Sequence, residues 1–146
     1  MLLNLTSIRK EKVDKKNKSE MTKLKKRTVK NIYPLENVKD VGKLYLVEFT
    51  AKGKNMLASL ALRTSNGWIC MDYPAKFSNN SAWRVDDGGT MTPDMFSFTF
   101  AARTEQGLII GIQWMGAEGE STSFLEFKKG KVTQLDIDYS RYMMPV

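Results

Sequence analysis

The chain has 146 residues, 42% of them hydrophobic and 27% charged, with one cysteine and no histidine. That length buries one core of ordinary size, and a single cysteine excludes an internal disulfide, hence a disulfide-stapled secreted scaffold. The lack of histidine excludes Ser-His-Asp and Cys-His hydrolysis, His-ligated zinc enzymes and histidine acid–base catalysis within this chain.

The net charge of +7 comes from 23 basic and 16 acidic residues, and it is unevenly placed. Residues 9 to 30 hold 11 basic against 3 acidic residues, a net of +8, whereas the chain from Asn31 onward is close to neutral. A basic segment on a neutral body is an electrostatic footprint for an anionic partner. Residues 1–32 are therefore read as a basic arm, disordered or forming a short helix, because Val13, Met21, Leu24 and Val29 supply little apolar surface to offset ordering entropy. The helical reading rests on Met21, Leu24, Thr28 and Ile32 at helical spacing, with Ser19 as N-cap. Met1–Leu5 is too short for the apolar region of a secretory peptide, and no stretch reaches membrane-spanning length. The expectation is a soluble intracellular protein, nuclear if the host is eukaryotic, since Arg9-Lys10 and the basic run 23–27 resemble a bipartite import signal.

Residues 33–146 carry an all-β signature of short alternating runs separated by turn residues. Strands are expected over 43–50, 56–64 and 68–73, the last two joined at Ser65-Asn66-Gly67, since Asn-Gly suits a tight hairpin turn. Met56–Arg63 also has helical character, and the Asn-Gly turn favours strand. After an irregular region between Pro74 and Pro93, four strands follow over 95–103, 108–115, 121–128 and 131–139, an antiparallel meander. Seven or eight strands so joined predict a small closed or partly open barrel, with a β-sandwich as the alternative. In Met95–Arg103 the period-two rule places Phe96, Phe98 and Phe100 on one face.

Few residues carry a specific chemical signal. Asp86, Asp87, Asp94, Glu118 and Glu120 fit no standard cation loop and read as solvated turn carboxylates. Asp136 and Asp138 read as the exposed face of a final strand. Cys70 lies in an apolar run with no histidine to activate it, so a buried inert thiol is expected. No phosphate-binding glycine motif, metal set or cofactor site is assigned. Trp83 sits beside Arg84 among polar residues, an arrangement suited to stacking on single-stranded nucleic acid.

Three function classes follow, in order. The first is a non-enzymatic binding protein whose basic residues Arg9, Lys10, Lys15, Lys16, Lys23, Lys25, Lys26, Arg27 and Lys30, with Trp83 and Arg84, engage a polyanion, nucleic acid foremost. An anionic membrane surface and a protein partner stay open as alternatives. The second is a carrier of a small apolar ligand inside a barrel lined by Phe96, Phe98, Phe100, Ile110, Ile112 and Trp114. The third is a carboxylate- or metal-dependent enzyme, with no catalytic residue assigned.

Overall fold

The computed structural model describes residues 1–76, 78, 92–105, 107–116 and 119–135, without the side chains of 114–116 and 119–121. The elements in chain order are β1 (Leu2–Leu3), β2 (Leu5–Ser7), α1 (Lys15–Lys25), β3 (Val29–Val38), β4 (Gly42–Phe49), β5 (Asn55–Thr64) and β6 (Gly67–Lys76). A single 3-10 turn at Pro93–Met95 then leads into β7 (Phe96–Thr104), β8 (Gly107–Gly116), β9 (Gly119–Lys128) and β10 (Lys131–Leu135). They form two five-stranded antiparallel sheets, ordered β2-β3-β4-β5-β6 and β1-β7-β8-β9-β10. Each sheet is a four-strand meander with one very short strand added at its edge.

The sheets face each other and do not close into a barrel. On one side β6 and β10 approach without pairing. Pro74, lying in β6, lacks an N–H to donate, which suits it to an edge strand. On the other side the chain steps between sheets at Asn4, since Leu2 and Leu3 pair with Ala102 and Ala101 while Leu5–Ser7 pair with Val38–Glu36. The first seven residues thus add a strand to both sheets, and the expected start of the β domain at residue 33 falls inside β3.

The main core lies between the sheets. One sheet contributes Leu35, Leu44, Leu46, Ala58, Leu60 and Leu62, and the other Phe96, Ala101, Leu108, Ile110, Leu125 and Phe127. Its inner positions are close-packed apolar side chains, worth about 1.5–3 kcal/mol for each large residue buried. This packing takes in four of the six residues expected to line a ligand cavity. Phe96, Ile110 and Ile112 are 2%, 0% and 3% exposed within the core, and Phe98 packs against it. Phe100 is on the opposite face. A bulge between Phe98 and Phe100 shifts the alternation by one residue, so that Ala101 enters the core. Phe100 then stacks on Phe124, ring centroids 5.8 Å apart, over Gly111. The side chain of Trp114 lies outside the described residues.

The helix covers the outer face of the first sheet. Met21, fully buried, sits on Val29, Tyr45, Val47, Phe49 and Ala61, a second core separate from the first. Strand β4 is therefore buried on both faces from Leu44 to Phe49, which is why its sequence is an apolar run, interrupted only by Glu48, rather than an alternating one. Of the two forms expected for the basic segment, the helix is the one found. It begins at Lys15 with Asp14 as N-cap, whose carboxylate accepts from the Lys16 N–H at 3.0 Å, rather than at Ser19. It ends at Lys26, which is in the left-handed conformation and donates its N–H to the Thr22 carbonyl. Thr28 and Ile32 fall beyond its end, Ile32 in β3.

Candidate functional site: a docked basic helix

On an α-helix residues three and four apart share a face, so the seat of Met21 determines which side chains of α1 point outward. The docked flanks hold the helix with polar contacts. Asn17 donates to the Tyr45 hydroxyl at 3.3 Å, and Lys25 pairs with Asp72 at 2.7 Å. Asp72 also accepts a short hydrogen bond from the buried Ser59 hydroxyl. Glu20 meets the Arg63 guanidinium and the Trp68 indole N–H, both at 3.4 Å, while Arg63 lies over the Trp68 ring, 5.4 Å from its centroid. Trp68 in turn packs on Tyr45 at 5.5 Å, so this aromatic residue is a fastener for the helix.

The consequence is a sorting of charge. Glu20 is engaged on the docked side, and Asp14 is the cap. Lys15, Lys18, Ser19, Thr22 and Lys23 then form a stripe along the outward side, around a shallow surface depression, with Lys16 beside it. Lys15, Lys16, Lys18 and Lys23 are all exposed, and among the described residues none of them forms an ion pair. The same holds for Lys10, Lys26 and Lys30. Three lysines in the first turn, with no acid there, oppose the positive end of the helix dipole. Such placement costs up to about 1 kcal/mol per charge at an exposed site. The cap and the Met21 seat hold the helix in place against that cost.

The remaining basic candidates are used inside the fold. Arg9 is a bridge: its guanidinium donates to the Pro93 and Phe96 carbonyls at 2.7 and 2.8 Å. It also counters the burial that pushes the Glu36 carboxyl up. Arg27 donates to the carbonyls of Thr50 and Asn55, at 3.1 and 2.5 Å, and Lys25 is held by Asp72. Trp83 and Arg84 lie outside the described residues, as do Asp86, Asp87, Glu118, Asp136 and Asp138 and the side chain of Glu120. Asp94 accepts a short hydrogen bond from the Thr92 hydroxyl beside the 3-10 turn.

Beneath the helix Cys70 is half-buried, packed on the second core, and burial pushes its thiol up to about 11 despite the nearby Lys25 ammonium. Burial likewise pushes the Tyr73 phenol up to about 12. Both groups stay protonated in the folded chain at pH values where the unfolded chain ionises. Their contribution to stability is complete below pH 9 and is lost as pH rises from 9.0 to about 11 for Cys70, and from 10.0 to about 12 for Tyr73. Alkylation of native Cys70 by iodoacetamide at pH 8 is expected to run at least about tenfold slower than in denaturant. An equal rate would show a reactive thiolate instead.

Sequence reasoning missed Glu48. It lies between Val47 and Phe49, points into the main interior with Leu44 and Leu46, and is 1% exposed. One carboxylate oxygen accepts from the Asn31 amide at 2.9 Å, and the other has no partner among the described residues. With burial, it pushes the neighbouring Tyr33 phenol up. The only signal in the sequence was an acid inside an apolar run.

No family model, curated protein or solved structure matches the chain. Among the described residues no helix is long and apolar enough to cross a membrane.

Proposed function

We propose that the protein is a non-enzymatic binding module whose docked helix α1 presents a basic face to the phosphate backbone of a nucleic acid. The observation that carries this reading is the outward stripe of Lys15, Lys16, Lys18 and Lys23, unpaired with acids among the described residues while the acids of the segment are engaged elsewhere. Lysines on a fixed helix act as spaced point charges for phosphates, and holding them on a packed scaffold lowers the ordering cost of binding. An anionic membrane surface is the weaker match. A helix that adsorbs to a bilayer inserts an apolar face, and the Met21 face of α1 is already seated on the sheet. Trp83 and Arg84, outside the described residues, are the residues proposed to stack on unpaired bases.

Binding to a short duplex is expected to weaken linearly with log salt, with a slope of about −0.9 per phosphate neutralised. Four helix lysines therefore contribute a slope of about −3 to −4. Replacing Lys15, Lys16, Lys18 and Lys23 together by Gln should remove that part of the slope for every duplex sequence and leave thermal unfolding unchanged. Fluorescence anisotropy over roughly 50 to 200 mM salt measures it. A slope unchanged by the fourfold substitution rejects the proposal, as does binding confined to anionic vesicles in a pelleting assay.

A further inference from the structure

The positive charge of α1 continues past its C-terminal end onto a second element. Residues 21–35 and 49–71 contain no aspartate or glutamate, and the fold brings the two stretches together where α1 ends. Arg27 makes the join. Its guanidinium donates to the carbonyls of Thr50 and Asn55, one on each side of the loop between β4 and β5, and the Thr50 N–H donates to the Thr28 carbonyl at 2.8 Å. At the tip Lys52 and Asn55 exchange backbone hydrogen bonds of 2.9 and 3.0 Å across Gly53 and Lys54, a tight two-residue hairpin. Gly53 stands at φ +62°, the conformation such a turn demands at its first central position.

An exposed turn is ordinarily mobile, whereas these five hydrogen bonds fix this one to the end of the helix. The lysine side chains that it carries take no part in the framework. Lys52 and Lys54 are exposed, and among the described residues neither forms an ion pair. The same is true of Lys26 and Lys30, on either side of Arg27, and of Lys76, which pairs with Asn55 across the β5–β6 ladder. The acid of β6, Asp72, is engaged by Lys25 and the Ser59 hydroxyl. Cations gathered without acids repel one another, and an anion laid across them relieves that repulsion.

We infer that the polyanion surface has two parts, α1 and the Lys52-Gly53-Lys54 turn, and that Arg27 positions the second against the first rather than touching the partner. The inference rests on the nucleic-acid reading of α1 and extends it to a second set of phosphate contacts. From Lys15 to Lys23 the helix covers about 12 Å, at 1.5 Å per residue, the length of about three to four phosphates on one strand. The turn lies beyond that stretch, so it reaches phosphates that the helix does not, and its contribution adds to that of the helix.

The full chain and its variants are titrated onto a short DNA duplex by anisotropy over roughly 50 to 200 mM salt. Lys52→Gln and Lys54→Gln together should flatten the salt slope by about 2, at about 0.9 per phosphate, and weaken binding at least about tenfold at the low-salt end. Added to the fourfold Lys→Gln variant of α1, the pair should flatten the slope by the same amount again. Arg27→Lys keeps the charge but replaces a fork that spans two carbonyls with a single ammonium. It should leave the slope unchanged, lower affinity about three- to tenfold, and speed hydrogen exchange at the Lys52 and Asn55 amides at least about tenfold while the strands stay protected. Native slope and affinity in the Lys52/Lys54 variant overturn the inference, and a slope lost only in the α1 variant leaves the reading of α1 standing without it. An Arg27→Lys chain whose turn exchanges faster at native affinity overturns it as well. A native slope in both sets of lysine variants rejects the two readings together.

Discussion

Met21→Ala is expected to lower stability by about 2–4 kcal/mol, because it removes a fully buried side chain from the seat that joins α1 to the first sheet. The fold offers two ways to meet that loss. If α1 and the sheet unfold as one unit, the urea midpoint falls with no change in m-value. If the helix detaches first, hydrogen exchange in residues 15–25 accelerates while the strands stay protected. In either case Met21→Leu should cost less than about 1.5 kcal/mol, since volume and apolarity are kept. Nucleic-acid binding separates positioning from charge. Met21→Ala leaves every lysine in place, so the salt slope should persist while affinity falls several-fold as the face loses preorganisation. Unchanged affinity would mean that the basic residues act without the helix.

The second large effect has the opposite sign. Glu48→Leu is expected to stabilise the chain by about 1–3 kcal/mol, because a carboxylate in the main interior, with one oxygen lacking a partner among the described residues, loses more in desolvation than one amide hydrogen bond returns. Asn31→Leu should do the reverse, lowering stability by about 1.5–3 kcal/mol, since it removes the partner and leaves the acid. Urea unfolding of both variants at one pH measures the pair. Destabilisation by Glu48→Leu would show that Glu48 holds a donor of its own. A residue kept at a cost to stability points to a role other than packing, and Glu48, Asn31 and Tyr33 are adjacent in that part of the interior.

Much of the fold was legible in local pattern. The Asn66-Gly67 turn, the Gly-marked turns at 107 and 130 and the alternating runs between them placed seven strands, β4 to β10, within a few residues of their observed bounds, the expected end of the last at 139 lying outside the described residues. Three elements were not legible. β1 and β2 are two and three residues long and gain their pairing only from β7 and β3, so no periodicity marks them. β3 was hidden because Pro34 reads as a breaker, whereas in the fold it sits beside an irregularity between Pro34 and Glu36, where the ladder is already interrupted.

The candidate site divides along the same line. The concentration of positive charge between Arg9 and Lys30 is a property of composition, and no structure was needed to see it. Which of those charges face outward depends on long-range contacts. Arg9 reaches carbonyls 84 and 87 residues away, and Lys25 pairs with an acid 47 residues away. The same holds for the Phe96-Phe98-Phe100 run, where alternation names two faces and one bulge reassigns the third ring.

Local sequence determined that this chain is antiparallel β with a basic N-terminal segment and no histidine chemistry, because turn residues, alternation and composition act over a few positions. Tertiary structure decided that the sheets stack without closing, that the basic segment is a helix seated through Met21, and that Glu48 stands in the interior. Those outcomes depend on which distant strands share a ladder and which side chains meet across the interior, and sequence spacing carries no direct record of either.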